Sequence, residues 1–273
     1  MLKRTDLKDG YHNLTWEEYH AIDAVRHSWL EALRRSPAAC QLAMGGDAAV
    51  ESKSLRVGRA LHAAVLEPLS FLDEYIKWQH KGTTKEGKAE RAKALEENKT
   101  GLTGTEWDSI EGMSASLKTN PIAARLLNTA TDSERTILWT LQGRRCKSKL
   151  DLQGDKWVVD IKTVRDIGRF SPGSVTAYGY HRQAGWYTTG MAMVDGVPPE
   201  HFYFLVVANT PPHESAVYRL ELESLNRGVD EALEGFSEFV KHEGNGTWTK
   251  HMALLLEAKS FPPREEETTP LWR

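Results

Sequence analysis

Between residues 134 and 164 the chain spells three short strand-like segments separated by two turns, and that pattern leaves few folds open. "ERTILWTL" alternates with period two. It sets Arg135, Ile137, Trp139 and Leu141 on one side and Glu134, Thr136, Leu138 and Thr140 on the other. Gln142-Gly143 predicts a turn, "RRCKSKLDL" a second strand, Gly154-Asp155 another turn, and "KWVVDIKTV" a third strand. A meander of this kind needs a partner layer for its apolar face. The flanking sequence supplies helices to serve as that layer. Thr15 with Glu18, Ser28 with Glu31, and Thr103 with Glu106 have the spacing of capping boxes, and Pro37 marks a stop. Val57, Leu61, Ala64 and Val65 recur at helical spacing before Pro68, as do Trp107, Ile110, Met113 and Leu117 before Asn120-Pro121. A helix over about 178–193, strands "HFYFLVVA" and "SAVYRLEL", and an amphipathic helix over 223–242 follow.

One 273-residue domain is expected, with a helical part over 1–130, a sheet core with flanking helices over 131–245 and a loose tail over 246–273. Residues 79–101 are charged and nearly devoid of large apolar side chains, which predicts an exposed helix or a mobile connection. Hydrophobic residues at 40% and charged residues at 27% describe an ordinary globular chain. No apolar run approaches a membrane span, and "MLKRTDLKDGYHNL" lacks the apolar centre of a signal peptide, so a soluble cytoplasmic protein with no membrane contact is expected. The two cysteines, Cys40 and Cys146, are too few and too isolated for a disulfide framework or a zinc ribbon. A net charge of −3 gives no bulk attraction to nucleic acid, although an acidic average is compatible with a basic groove.

The meander carries more charge than a packed sheet usually tolerates. If Gly154-Asp155 is a two-residue turn, Gln153 pairs with Lys156, Asp151 faces Val158, Lys149 faces Asp160 and Lys147 faces Lys162. These residues then share one solvated side, while Trp157, Val159 and Ile161 share the other with Leu150 and Leu152. Asp151 and Asp160 become diagonal neighbours, and a two-residue turn at Gln142-Gly143 sets Glu134 opposite Asp151. Three like charges in one patch call for a cation, and oxygen donors suit Mg²⁺ or Mn²⁺. Lys162 projects from the same side, where an ammonium can orient an attacking water and stabilise charge on a phosphate oxygen. A solvated, salt-bridged face remains the alternative reading of the same residues.

Asp151, a short hairpin, then Asp160-Ile161-Lys162 resembles the PD-(D/E)XK nuclease superfamily. Leu150 stands where the proline of that motif commonly sits. "GRALHAAVLEP" resembles the RecB-like helix that contributes a histidine metal ligand, here His62, and Gln183 and Tyr187 match the Q-x-x-x-Y motif of the same branch. "SERTILW", "WVVDIKTVRDIGRFS", "YGYHRQAGWYTTGM" and the N-terminal "AIDAVRHSWLEALRRSPAAC" are similar to the RecE nuclease group over about residues 11–245, with Ala184 where an acidic residue is expected.

The resemblance implies an α/β (α+β) fold with a restriction-endonuclease-like core, a mixed central sheet and flanking helices. It implies metal ligation by His62, Asp151, Asp160 and the Ile161 backbone carbonyl, with Glu134 acting through water. Lys162 would be the catalytic cation, supported by Gln183 and Tyr187. It further implies 5′→3′ digestion of linear duplex DNA ends, a ring-shaped tetramer, a single-strand annealing partner and a bacterial or phage origin. Arg56 and Arg59, near His62, are candidates for a terminal phosphate, and Arg144, Arg145 and Lys147 form a basic run that a DNA backbone could contact. Some of the nine tryptophans could stack on DNA. Within the superfamily a restriction-type or structure-specific endonuclease is the alternative, and a DNA-end-binding subunit is the non-enzyme one.

Overall fold

The computed structural model describes residues 7–46 and 52–248. The chain runs β1 (Gly10–His12), α1 (Trp16–Ala21), α2 (His27–Arg35), α3 (Pro37–Met44), α4 (Lys53–Leu66), α5 (Pro68–Glu74), β2 (Tyr75–Lys77), α6 (Lys85–Glu96), β3 (Thr100–Leu102), α7 (Gly104–Thr119) and α8 (Pro121–Thr129). It continues through β4 (Asp132–Leu141), β5 (Arg144–Gln153), β6 (Trp157–Val164), a 3-10 turn (Ile167–Arg169), α9 (Pro172–Ala177), α10 (Tyr180–Asp195), β7 (His201–Ala208), β8 (Ser215–Arg219) and α11 (Leu222–Asn245).

Six strands form one sheet in the order β1-β4-β5-β6-β7-β8. Within this sheet β6 and β7 are the strands that pair in parallel, because α9 and α10 carry the chain back across the sheet between them. Helices cover both faces. On one, Trp29, Leu30, Trp186, Phe236 and Phe239 from α2, α10 and α11 pack on Trp139, Val158 and Phe204 of the sheet. On the other, Leu61, Phe71, Ile110, Met113 and Leu117 from α4, α5 and α7 pack on Val159, Ile161 and Leu205. The chain is therefore a mixed α/β sandwich, as expected. The charged 79–101 stretch contains a largely exposed helix, α6, beside a small parallel β2–β3 pair.

The first hairpin matches the sequence reading. Gln142 and Gly143 have φ of 48° and 78°, the positive values a two-residue primed turn needs, and Leu141 pairs with Arg144. Ser133↔Leu152 and Arg135↔Leu150 bracket Glu134, which stands across from Asp151. The second hairpin differs. Leu152 pairs with Val159 and Gln153 with Val158, so the connection is longer than two residues and the register moves by two. Gly154 instead donates its N–H to Trp157 O across a wider loop, and the Trp157 ring lies where a Gly154 side chain would be. In this register Asp151 falls directly opposite Asp160 rather than diagonal to it. β5 and β6 pair only at those two positions and part beyond them.

The solvated face does not form. Val158 is wholly buried, Asp160 is 2% exposed and Lys147 1%. Lys147 donates to Tyr19 O and Ile22 O, tying α1 to β5, and Arg144 pairs with Asp23 and Glu243. The basic run is therefore not one phosphate-facing surface. The capping boxes at Thr15 and Thr103 are both made, but Ser28 lies inside α2, whose N-cap is Arg26 without a side-chain bond. Pro37 ends α2 and also starts α3, at the N-terminal position where its missing N–H costs nothing. The tail from 249 onward lies outside the described residues.

Candidate active site

The place where β5 and β6 part is where the predicted site residues meet. β5 carries Asp151 and β6 carries Asp160, Ile161 and Lys162. The Ile161 N–H donates to Asp151 Oδ2 at 2.7 Å, and the Ile161 carbonyl lies 3.2 Å from His62 Nε2 of α4. One backbone residue of β6 thus ties together side chains from two other elements, β5 and α4. On the α4 side, His62 Nδ1 is 3.4 Å from Asp151 Oδ1 and 3.9 Å from Glu134 Oε1. Ligand atoms of His62, Glu134 and Asp151 all lie within 4.8 Å of one another. Glu134 reaches in from a backbone with φ of 50°, and Lys149 Nζ stands 3.3 Å from its Oε2.

On the α10 side, Asp160 and Lys162 face Gln183. Lys162 Nζ is 2.6 Å from Asp160 Oδ2 and donates to Gln183 Oε1 at 2.8 Å. The Gln183 amide nitrogen donates to Asp160 Oδ1 at 2.8 Å and to the Tyr187 hydroxyl at 2.9 Å. Asp160 Oδ2 keeps its ion pair with Lys162 but has no well-aligned hydrogen-bond donor, although it is buried. Asp160 stands outside the His62, Glu134 and Asp151 group, its carboxylate turned to Lys162 and Gln183.

The electrostatics follow the division. Burial works against a charged His62, but Asp151 and Glu134 outweigh it and hold its pKa well above the usual value. Burial also opposes ionisation of Asp151, and there His62 and the Ile161 N–H win and lower its pKa. For Asp160 burial prevails: its pKa is pushed up to about 6, against Lys162 and with the help of Asp151. Burial likewise raises Tyr187, which stays a neutral phenol.

The donor set fits a hard divalent cation. Two carboxylates and an imidazole converge beside buried Lys149, and an under-bonded buried carboxylate oxygen lies on the next strand. The site opens into a groove of roughly 540 Å³ lined by His62, Asp151, Asp160, Lys162, Arg59 and Trp16. Arg56 is not there. It pairs with buried Glu106 at 2.6 Å, a contact that joins α4 to α7. Arg145 lies opposite Thr140, six residues along β5 from Asp151, about 20 Å at strand rise.

Two groups escaped the sequence reading. Lys149, two residues before Asp151, turns to Glu134 and to the carbonyls of Leu14 and Glu134. The other is a network behind α10: Arg182 binds Glu31 through two donors and Glu231 through a third, and buried His181 adds a contact to Glu231 at 3.1 Å. Ala184, where an acid was expected, is fully buried in the apolar core and has no polar role.

Paired acids, a D-x-K strand and a flanking helix on each side define a PD-(D/E)XK-type domain. The chain belongs to the family described as PDDEXK-like domain of unknown function (DUF3799), whose model matches residues 26–252. Among solved structures it is similar to one described as a "Putative exonuclease" from Eubacterium rectale. The TM-score is 0.62 at 14% identity, over 86% of this chain and 88% of that one, a likeness of fold. The structure of SSO0001, at 16% identity over 68% of this chain and 88% of that one, has a TM-score of 0.30, too low to bear on the fold. No curated protein sequence matches the chain.

Proposed function

We propose that the chain is a Mg²⁺-dependent DNA exonuclease of RecE type, with Mn²⁺ as a substitute, that resects linear duplex ends 5′→3′ and leaves 3′ overhangs. The observation that carries this reading is the backbone of Ile161. It joins a cation-seeking cluster, His62, Glu134 and Asp151, to an ordered ammonium, Lys162, one residue away. His62, Asp151 and Glu134 would hold the ion, with Asp160 and the Ile161 carbonyl adjoining. A bound divalent cation there supplies Lewis acidity toward a phosphoryl oxygen. Lys162, held by Asp160 and Gln183, orients the attacking water and offers positive charge to the phosphorane-like transition state. Gln183 fixes both partners of that pair, and Tyr187 fixes Gln183.

The 5′→3′ polarity, the ring-shaped tetramer and the single-strand annealing partner rest on the resemblance to the RecE group. A ring also reconciles a net charge of −3 with DNA as substrate, since only its channel need be positive. Linear duplex labelled at either 5′ or 3′ ends, and a covalently closed circle, are incubated with Mg²⁺ or EDTA. Release of 5′ label from linear DNA with Mg²⁺ alone, and a spared circle, is the expected result. Nicking of the circle points to an endonuclease, and no cleavage by wild type under any metal overturns the reading.

A further inference from the structure

At the mouth of the groove stands Trp16, 45% exposed, in a helix of six residues that is anchored far more firmly than its length requires. Thr15 and Glu18 close its N-terminus by a reciprocal capping box. At the other end the buried Lys147 ammonium donates to Tyr19 O and Ile22 O at 2.7 Å each and lies 4.5 Å over the Tyr19 ring. Two neighbours hold the Trp16 ring. The His20 ring stacks against it at 5.6 Å with planes 26° apart, and the Lys149 ammonium lies 5.1 Å from its centroid. Lys149 is also the cation that pairs with Glu134 of the metal cluster, so the indole is tied directly to the site. His20 in turn takes a hydrogen bond from Arg26 through Nδ1 at 2.9 Å, which suits a neutral ring able to keep its stacked position.

A large exposed aromatic costs solvation, and a mobile one would lose much entropy on binding a ligand. An indole already immobilised by a neighbouring ring and a cation avoids the second cost. The groove floor offers metal ligands and Lys162 for a phosphate. Its wall offers, in Trp16 and His20, a flat apolar shelf beside that phosphate, and a nucleobase is the flat apolar part of a nucleotide.

We infer that Trp16, backed by His20, is a stacking platform for an unpaired nucleobase of the strand entering the metal site. The inference rests on the nuclease reading of that site, yet its test does not require cleavage. Fluorescein-labelled dT₈ and an eight-unit abasic deoxyribose-phosphate oligomer carry the same backbone charge and differ in bases. Binding of both is followed by anisotropy in EDTA. Wild type should favour dT₈ by about tenfold or more, Trp16→Ala should bind the two alike, and Trp16→Phe should recover part of the preference. Circular dichroism and the unchanged affinity of Trp16→Ala for the abasic oligomer check that the groove is intact. Equal binding of the two oligomers by wild type, or a full preference for dT₈ in Trp16→Ala, overturns the platform. If neither oligomer binds wild type, the platform is overturned as well. A wild type that shows the preference but cleaves no DNA with Mg²⁺ overturns the nuclease reading alone.

Discussion

The two flanks of the β5–β6 fork are built on opposite plans. On the α4 flank one side chain, His62, faces two acids at 3.4 and 3.9 Å, and the ligand atoms of all three converge within 4.8 Å of one another. On the α10 flank every polar atom of Gln183 is used: Lys162 on its oxygen, Asp160 and Tyr187 on its nitrogen. The first flank gathers donors that could pass from His62 to a metal ion. The second is already ordered, and ordering is what a group acting on a reacting phosphate requires. Under the proposed function, binding and chemistry would be separated by a single peptide unit, and substitutions on the two flanks should fail in different ways.

The largest effect falls on the α10 flank. Lys162→Ala should lower kcat by about 10³-fold while the Mg²⁺ concentration for half-maximal rate stays near that of wild type. His62→Ala should do the reverse, raising that Mg²⁺ requirement by about 10–100-fold with much of kcat regained at saturating metal. Metal titrations of both variants on end-labelled duplex decide the matter. Matching metal curves for the two would erase the division between the flanks. Gln183→Ala comes next, with a loss of about 10–100-fold in kcat, because Lys162 and Asp160 remain but lose their common anchor. The Tyr187→Phe loss should be smaller still, since it removes only the second of two bonds from the Gln183 nitrogen. Asp160→Asn is the informative change at that position. Asp160 is 2% exposed and paired, so alanine would leave both a void and a Lys162 stripped of this counter-ion.

How much of this was legible depends on distance along the chain. The Asp160-Ile161-Lys162 strand, Asp151 and the Gln142-Gly143 turn could be read because period-two alternation and turn chemistry act over a few residues. The two-residue slip at Gly154 preserves strand parity beside the loop, where Leu152 and Val159 share a cluster. The expected faces break up further along: Leu150 packs with Val158 rather than with Leu152, Val159 and Ile161, and Lys147 and Asp160 turn to different helices. Solvation was misjudged for a different reason. Alternation says which residues share a face, not what covers it, and here α1 covers Lys147 while α10 covers Asp160. The α10–α11 crossing was equally hidden. Gly185 and Gly228 bring the two backbones so close that a Cβ on either would sit about 2 Å from the other helix. Nothing within either local sequence announces the partner glycine.

The network behind α10 gives an intermediate effect with a defined sign. Burial pushes Glu31 up, but hydrogen bonds from Arg182 and His27 prevail and bring it to about 2. Glu231 is likewise brought to about 2, by Arg227, Arg182 and His181 against burial. Both pKa values are depressed in the folded state, so their stabilisation is present above the ordinary carboxylate pKa of about 4.5 and is lost as pH falls toward 2. Wild type should lose about 5–10 °C more of its melting temperature between pH 5 and pH 2.5 than the double variant Glu31→Gln/Glu231→Gln, which should start lower and vary less. Parallel curves would mean that these pairs contribute nothing to holding α2, α10 and α11 together.

The smallest effect tests a pattern expected to cap helices at three positions and formed at two of them. Thr15 and Thr103 each accept an N–H from the glutamate three residues on, whose carboxylate returns to the threonine N–H. Ser28 and Glu31 have the same spacing, but Ser28 is inside α2 and Glu31 is held by Arg182. Arg182 offers Glu31 two bonds at 2.6 and 2.8 Å from a fully charged guanidinium, against one bond from an uncharged backbone N–H at a cap. The stronger partner takes the carboxylate, and α2 starts two residues earlier, at His27, without a side-chain cap. Thr103→Ala should therefore cost about 1 kcal/mol in urea unfolding, and Ser28→Ala should stay within about 0.5 kcal/mol of wild type. A cost for Ser28→Ala equal to that of Thr103→Ala would show that Ser28 caps α2 after all, and that Glu31 is shared between the cap and Arg182.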